Sequence, residues 1–207
     1  MHKRHILILI LLSACFYILG NNILPITSPD EVFYVQTARE MVKHNSWLTP
    51  YLFGLPQFEK PIFIYWLMRL EFILFGFSNF SVRFIFSLFG ILGVIGVYYL
   101  GLVGFKDEKK AFISALVLSS SALYIGLSRI VMTDVVFSFF ITLALLSFFY
   151  YYLRQNKFGL VTFFVFCAFA VLTKGPLGLI LPFFTLVTFL LLNKDLRFLA
   201  PGIFCGA

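Results

Sequence analysis

Charge is scarce in this sequence. Of 207 residues only 12% are Asp, Glu, Lys or Arg, against 61% hydrophobic, and the mean hydropathy is +0.98. A soluble domain has no means of burying that much apolar surface, so the composition excludes one and leaves an integral membrane protein. Cysteine is scarce too. Cys15, Cys167 and Cys205 each fall inside an apolar run without metal-type spacing, and they read as small buried hydrophobes. Long apolar runs, where a β-barrel has strands of alternating polarity, argue against a barrel, and the 29 phenylalanines of the chain suit lipid-facing helices. Neither a nucleotide-binding glycine loop nor an Asp-x-Asp metal motif occurs, and no internal repeat is visible. The net charge of +7 sits in clusters between the apolar runs, which is the pattern of membrane topology and not of a nucleic-acid partner.

What is present is a series of runs of spanning or near-spanning length, at about 6–24, 84–105, 111–127, 135–153, 158–173 and 177–192, with a seventh starting at Phe198. The first follows "MHKRH" and contains "LSAC" (12–15), which resembles a cleavage box. The apolar run continues through "FYILG", as in a retained anchor. The chain stops inside a hydrophobic segment at Ala207, which is expected of the N-terminal part of a longer protein. Residues 1–207 are thus expected to form one transmembrane module of about seven spans.

Residues 61–77, "PIFIYWLMRLEFILFGF", are ambiguous because Arg69 and Glu71 fall in the middle, where an unpaired charge in lipid costs about 3 kcal/mol. The positive-inside rule decides. If the segment lies flat at the interface and the N-terminus is cytoplasmic, the cytoplasmic side receives Lys3/Arg4, Lys106/Lys109/Lys110, Arg154/Lys157 and Lys194/Arg197. If it spans, every cluster after the first moves outside. The flat reading is preferred. Residues 29–44 then form a second in-plane helix, with Val32, Val35, Ala38 and Val42 opposite Gln36, Glu40 and Lys43. The predicted fold is therefore an all-α polytopic bundle whose first outer loop, residues 25–80, carries two juxtamembrane helices.

This topology gathers the remaining charges on the outer face, in "PDE" (29–31), "FEKP" (58–61), "RIVMTD" (129–134) and "LTKGP" (172–176). Each has an ordinary reading. Ser28, Pro29 and Glu31 spell a capping box with proline at the first helical position, and both acids suit a helix N-terminus. Thr133 or Asp134 can cap a helix, and Lys174 can snorkel at the end of a span. Co-location is the stronger signal, because such groups are costly at a nearly uncharged membrane face unless used or paired. Lys60, Lys174 and Arg129 suit a phosphate and the charge growing on it as it leaves. A carboxylate opposite suits a general base acting on an incoming hydroxyl.

The string "PDEVFYVQTAREM…W.TPY..G.P.FEKPI..YW……FGFSNFSVR", followed by "SRIVMTD" and "LTKGP", resembles the GT-C superfamily of membrane glycosyltransferases, in the branch of the aminoarabinose transferases and protein O-mannosyltransferases. The resemblance implies transfer of a sugar from a polyprenyl-phosphate donor to a glycolipid or protein acceptor outside the cytoplasm, with inversion. It implies a catalytic role for Asp30, with Glu31 the adjacent acid of its motif. Lys60 and Lys174 match lysines near the donor phosphate, and Glu59 and Asp134 match acids lining that cavity. Arg129 is added from the residues alone. No cofactor is implied, although Glu59 matches a ligand of a structural divalent cation in some members. The chain departs from the common pattern at "EKPI" and at Val32-Phe33, which is expected to alter cavity shape more than chemistry. A transporter of lipid-linked sugars and a non-catalytic membrane scaffold are the rival readings. The first needs its lysines accessible from both sides in turn, and the second uses the charges only to anchor helix ends.

Overall fold

The structure, a computed structural model, describes residues 2–23 and 25–195. In chain order the elements are α1 (His2–Ile18), α2 (Pro29–Lys43), β1 (Tyr51–Leu52), β2 (Leu55–Pro56), α3 (Phe63–Phe75), α4 (Ser81–Phe105), α5 (Glu108–Ser120), α6 (Ala122–Ser128), α7 (Thr133–Arg154), α8 (Lys157–Lys174) and α9 (Leu177–Leu192). Helices α4, α7 and α8 are long and apolar enough to cross a bilayer, and α5 with α6 passes the same test as a bent pair. The protein is a multi-pass membrane protein. The expected seventh run from Phe198, together with Arg197 and Cys205, lies outside the described residues.

Three clusters make the core. Tyr34 and Met41 of α2, Ile64 and Met68 of α3, Phe86 of α4 and Val136 and Phe140 of α7 form the first. Leu9 and Tyr17 of α1 meet Val94 and Tyr98 of α4, Ala115 of α5 and Tyr124 of α6 in the second. Ala144 and Phe148 of α7, Phe163 and Cys167 of α8 and Leu190 of α9 form the third. Helix α3 has 13 residues, a rise of about 20 Å, which falls short of the ~30 Å hydrocarbon layer. Its two charges are handled separately. Arg69 donates to the Met41 carbonyl (2.8 Å), the Ser46 carbonyl and Asn45 Oδ1 (2.7 Å), and so satisfies the C-terminal end of α2. Neither carboxylate oxygen of Glu71 has a hydrogen-bond partner among the described residues. Burial pushes its carboxyl up to about 8, although the Ile85 N–H, outside hydrogen-bond geometry, pulls the other way.

The basic clusters gather at one end. His2 bonds the Tyr98 hydroxyl (3.0 Å) and approaches Glu108 (2.9 Å), which joins the start of α1 to the α4–α5 turn, and Tyr152 donates to Asp195 (2.5 Å). The termini carrying "PDE", "MTD" and "TKG" lie at the other end.

Two sequence expectations are corrected. The run 111–127 is not one straight span: α5 and α6 are bent by 64° around Ser121, whose backbone is extended. The hydroxyls of Ser119 and Ser120 bond back to the Leu116 carbonyl at 2.9 Å, and this competition with the helix ladder marks the break. Helix α6 then packs on glycines of α4. A β-carbon at Gly90 would collide with Ser128, and one at Gly93 with the Tyr124 hydroxyl. Next, the run 6–24 is helical only to Ile18, and Gly20 takes a left-handed φ of +81°. The helical bundle also carries one small addition. β1 and β2 form an antiparallel hairpin around Phe53-Gly54, both at positive φ (53° and 79°), a two-residue turn that suits the twist of paired strands. Its N–H groups are held by Glu40 of α2, with Phe53 N–H to Oε1 at 3.0 Å and Gly54 N–H to Oε2 at 2.9 Å.

Candidate active site at the helix termini

Helix α2 begins as its sequence predicts, with Ser28 extended at the N-cap and Pro29 first in the helix, yet no side-chain capping bond forms. Glu31 is drawn elsewhere. Its oxygens meet Arg83, at the start of α4, at 3.2 Å through Nε and 3.2 Å through Nη2. Oε1 also accepts the Val131 N–H at 3.1 Å. Arg83 in turn donates to the Pro25 carbonyl (3.0 Å) and the Asn21 carbonyl (3.4 Å). With side-chain exposures of 2% and 4%, the pair is closed to solvent. One carboxylate thus ties the starts of α2 and α4 to the loop before α7, a two-point geometry that only arginine offers.

This anchor sets two other acids. Asp30 is the second residue of α2 and Asp134 the second residue of α7, so both sit in a first turn, at the positive end of a helix dipole. The N-cap of α7 is Met132, so the expected capping by Thr133 or Asp134 does not occur. Lys174, the last residue of α8, reaches Asp134 Oδ1 at 2.5 Å, and its ammonium lies 5.7 Å from the centroid of the Phe137 ring. Both partners remain open, with side-chain exposures of 38% and 39%. Asp30 is exposed and makes no hydrogen bond or ion pair among the described residues.

A buried tyrosine pair forms the floor beneath these groups. Tyr34 lies one turn beyond Asp30 on the same face of α2, and its ring centroid is 5.9 Å from that of Tyr65 in α3. Burial first, then Tyr65, Asp30 and Asp134, push the Tyr34 hydroxyl up to about 12, against a pull from the Thr133 side chain. Tyr34 is thus close enough to both aspartates to feel their charge. The Tyr65 hydroxyl accepts from Gln57 at 2.9 Å. It is raised by burial, opposed by Gln57 and Thr37, and raised again by the charge of Glu59. Glu59 and Lys60 themselves are exposed in the loop after β2. Only the Glu59 backbone is tied down, through its N–H to Gln57 Oε1 at 3.2 Å.

Asp30 and Asp134 thus both act on Tyr34, Lys174 is held by Asp134, and Glu59 and Lys60 follow in the loop between β2 and the helix that carries Tyr65. Arg129 donates to the Phe16 carbonyl at 3.0 Å, near the end of α1, and so ties α1 to the loop before α7. Glu31 is a structural tie as well. Sequence reasoning assigned no role to Arg83, Tyr34 or Tyr65. Tyr34 had a signal in its four-residue spacing from Asp30, whereas Arg83 stood in the "FGFSNFSVR" string with no sign of its partner. Among the described residues no three of His, Cys, Asp and Glu come together as a metal-binding group.

Comparison with known proteins places this arrangement. A protein of Aquifex aeolicus is 33% identical over the whole chain, which covers 41% of that relative. The undecaprenyl phosphate-alpha-4-amino-4-deoxy-L-arabinose arabinosyl transferase of Aeromonas salmonicida is 31% identical over 87% of the chain, which covers 34% of that enzyme. The chain thus spans well under half of these relatives. The crystal structure of ArnT from Cupriavidus metallidurans in the apo state superposes with a TM-score of 0.84 at 22% identity, over 95% of this chain and 37% of ArnT. ArnT bound to undecaprenyl phosphate superposes with a TM-score of 0.83. The fold is shared with ArnT. The family model for dolichyl-phosphate-mannose-protein mannosyltransferases matches residues 4–201, and the chain belongs to that family.

Proposed function

We propose that the protein containing this chain is an inverting glycosyltransferase, which moves a sugar from a polyprenyl-phosphate donor to a hydroxyl or phosphate of a glycolipid or protein acceptor outside the cytoplasm. The observation that carries the reading is the half-open Asp134–Lys174 pair beside an exposed, unpaired Asp30, all set on a closed ion pair. The relatives named as transferases of an undecaprenyl-phosphate-linked sugar, and the fold shared with an ArnT that binds undecaprenyl phosphate, support the donor class. The acidic and lysine-bearing helix ends face outward in a bacterial inner membrane, with the basic end cytoplasmic. Helices α2 and α3 lie in the plane of the outer interface, consistent with the shortness of α3 and the exposed Asp30.

In this reading the acceptor oxygen attacks the anomeric carbon from the face opposite the phosphate. The bond from that carbon to the phosphate oxygen breaks, and its electrons leave with the polyprenyl phosphate. Asp30 takes the acceptor proton where the acceptor is a hydroxyl. Lys174 and Lys60 meet the charge that grows on the departing phosphate. Asp134 holds Lys174 ready until the donor arrives. The scaffold reading fits Glu31, Arg83 and Arg129 and gives Asp30 only the favourable end of the α2 dipole.

The test uses the full-length gene in its own host, deleted and complemented at matched expression. Mass spectrometry of envelope glycolipids and glycoproteins is expected to show one sugar-sized increment lost on deletion, restored by wild type, and reduced about 10²–10⁴-fold in rate with Asp30→Asn. Full restoration by Asp30→Asn would overturn the catalytic assignment.

A further inference from the structure

A cavity of about 730 Å³ opens between α2, the β1–β2 turn and the C-terminal end of α3, a size in the range of small-molecule sites. It is not the face already described. Asp30, Tyr34, Thr37 and Met41 follow one stripe of α2, whereas Gln36, Arg39, Glu40 and Lys43 follow another. The cavity wall on α2 carries three basic side chains, Arg39, Lys43 and His44. The single carboxylate on that wall is already engaged. Glu40 Oε1 accepts from Gln36 (2.7 Å) and from the Phe53 N–H (3.0 Å), and Oε2 accepts from the Gly54 N–H (2.9 Å). What faces the cavity is therefore a basic surface whose one acid is committed to the hairpin.

Two of the basic groups are braced. The Arg39 guanidinium lies 4.8 Å from the centroid of the Phe77 ring, and the His44 ring lies 4.6 Å from that of Tyr51, tilted by 30°. Arg39 offers a planar fork of donors and Lys43 a compact charge one turn away, a combination suited to phosphate oxygens. The remaining walls are aromatic. Phe72 and Phe77 close the α3 side and Phe53 the hairpin side, and Phe53 and Phe77 are 80% and 50% exposed. A free anion leaves these rings in water, and a neutral lipid leaves the cations without a partner.

We propose that this cavity binds a phosphate-bearing amphiphile, with its phosphate on Arg39 and Lys43 and its hydrocarbon portion on Phe53, Phe72 and Phe77. The site is separate from the donor lysines and does not depend on the proposed activity. A lipid bound there touches α2, the hairpin and the end of α3 together, and α2 and α3 are the helices that carry Asp30 and Tyr65.

The test uses purified full-length protein in detergent, titrated with phosphatidic acid or phosphatidylcholine and read by native mass spectrometry. Wild type is expected to hold phosphatidic acid at least about tenfold more tightly than phosphatidylcholine. Arg39→Ala/Lys43→Ala loses that preference. Lys43→Glu, at an exposed helix end, loses it too and guards against misfolding of the double variant. Lys106→Ala/Arg154→Ala, at the opposite end of the bundle, keeps it. Inorganic phosphate leaves the lipid bound. Equal binding of the two lipids, retained preference in both cavity variants, loss in the opposite-end variant, or displacement by inorganic phosphate would each overturn the assignment.

Discussion

Glu31–Arg83 and Asp134–Lys174 join helix termini at the same end of one bundle, yet they sit in opposite environments. The first has exposures of 2% and 4%, two parallel contacts and backbone partners on both residues. The second has exposures of 38% and 39% and a single contact. Removing one member of the first leaves a buried charge with nothing to answer it. Removing one member of the second leaves a charge that water can reach. The comparison separates groups that hold the site from groups that can act in it, a distinction that charge and sequence position alone do not make.

The largest effect comes from breaking the closed pair. Glu31→Ala is expected to lower stability by about 3–5 kcal/mol, read as thermal unfolding of purified protein. Replacing both partners with apolar residues of similar size, Glu31→Leu with Arg83→Met, is expected to recover most of that loss, because no orphan charge remains. Lys174→Met sharpens the contrast from the other side. Its thermal effect is expected to stay under about 1 kcal/mol, as for other exposed pairs, while sugar transfer measured with purified donor falls at least about tenfold. Loss of stability and activity together in Lys174→Met would erase the distinction.

A pH-dependent effect concerns a third carboxylate, buried like Glu31 but lacking an arginine. Glu71 has a folded value of about 8 against an ordinary 4.5, so the folded state holds its proton more tightly than the unfolded chain. Its contribution to stability is full below about pH 4.5, declines as the pH rises through about 8, and levels off beyond. Thermal midpoints measured across that window are expected to fall with pH in wild type and to flatten in Glu71→Gln. An unchanged slope in the variant would assign the pH dependence to other groups.

Much of this was legible in the sequence, for physical reasons that also mark where reading stopped. Apolar run length locates α4, α7, α8 and α9, since each must present a continuous hydrophobic surface. The meeting of Asp134 with Lys174 was implied by topology, because each terminates a span at the same face. The bend between α5 and α6 was not legible, since three serines barely disturb a hydropathy window but compete for helix carbonyls. The hairpin was hidden because its turn rests on Phe53 at positive φ, held by a carboxylate 13 residues away. The grip of Arg83 on Glu31 spans 52 positions and leaves no local trace. Glu31 therefore looked like a cap, and Arg129 like a phosphate ligand.

The adjacency of Asp30 and Glu31 has a consequence for how this stretch tolerates change. Exchanging the two residues preserves composition, charge and helix propensity, yet it puts the shorter acid opposite Arg83 and the longer one at the open face. The shorter side chain is too short for the two-point grip on Arg83, and the longer one displaces the outward carboxylate by a methylene. The order of two neighbouring letters thus works like a reading frame: the first position faces the open side and the second holds the scaffold.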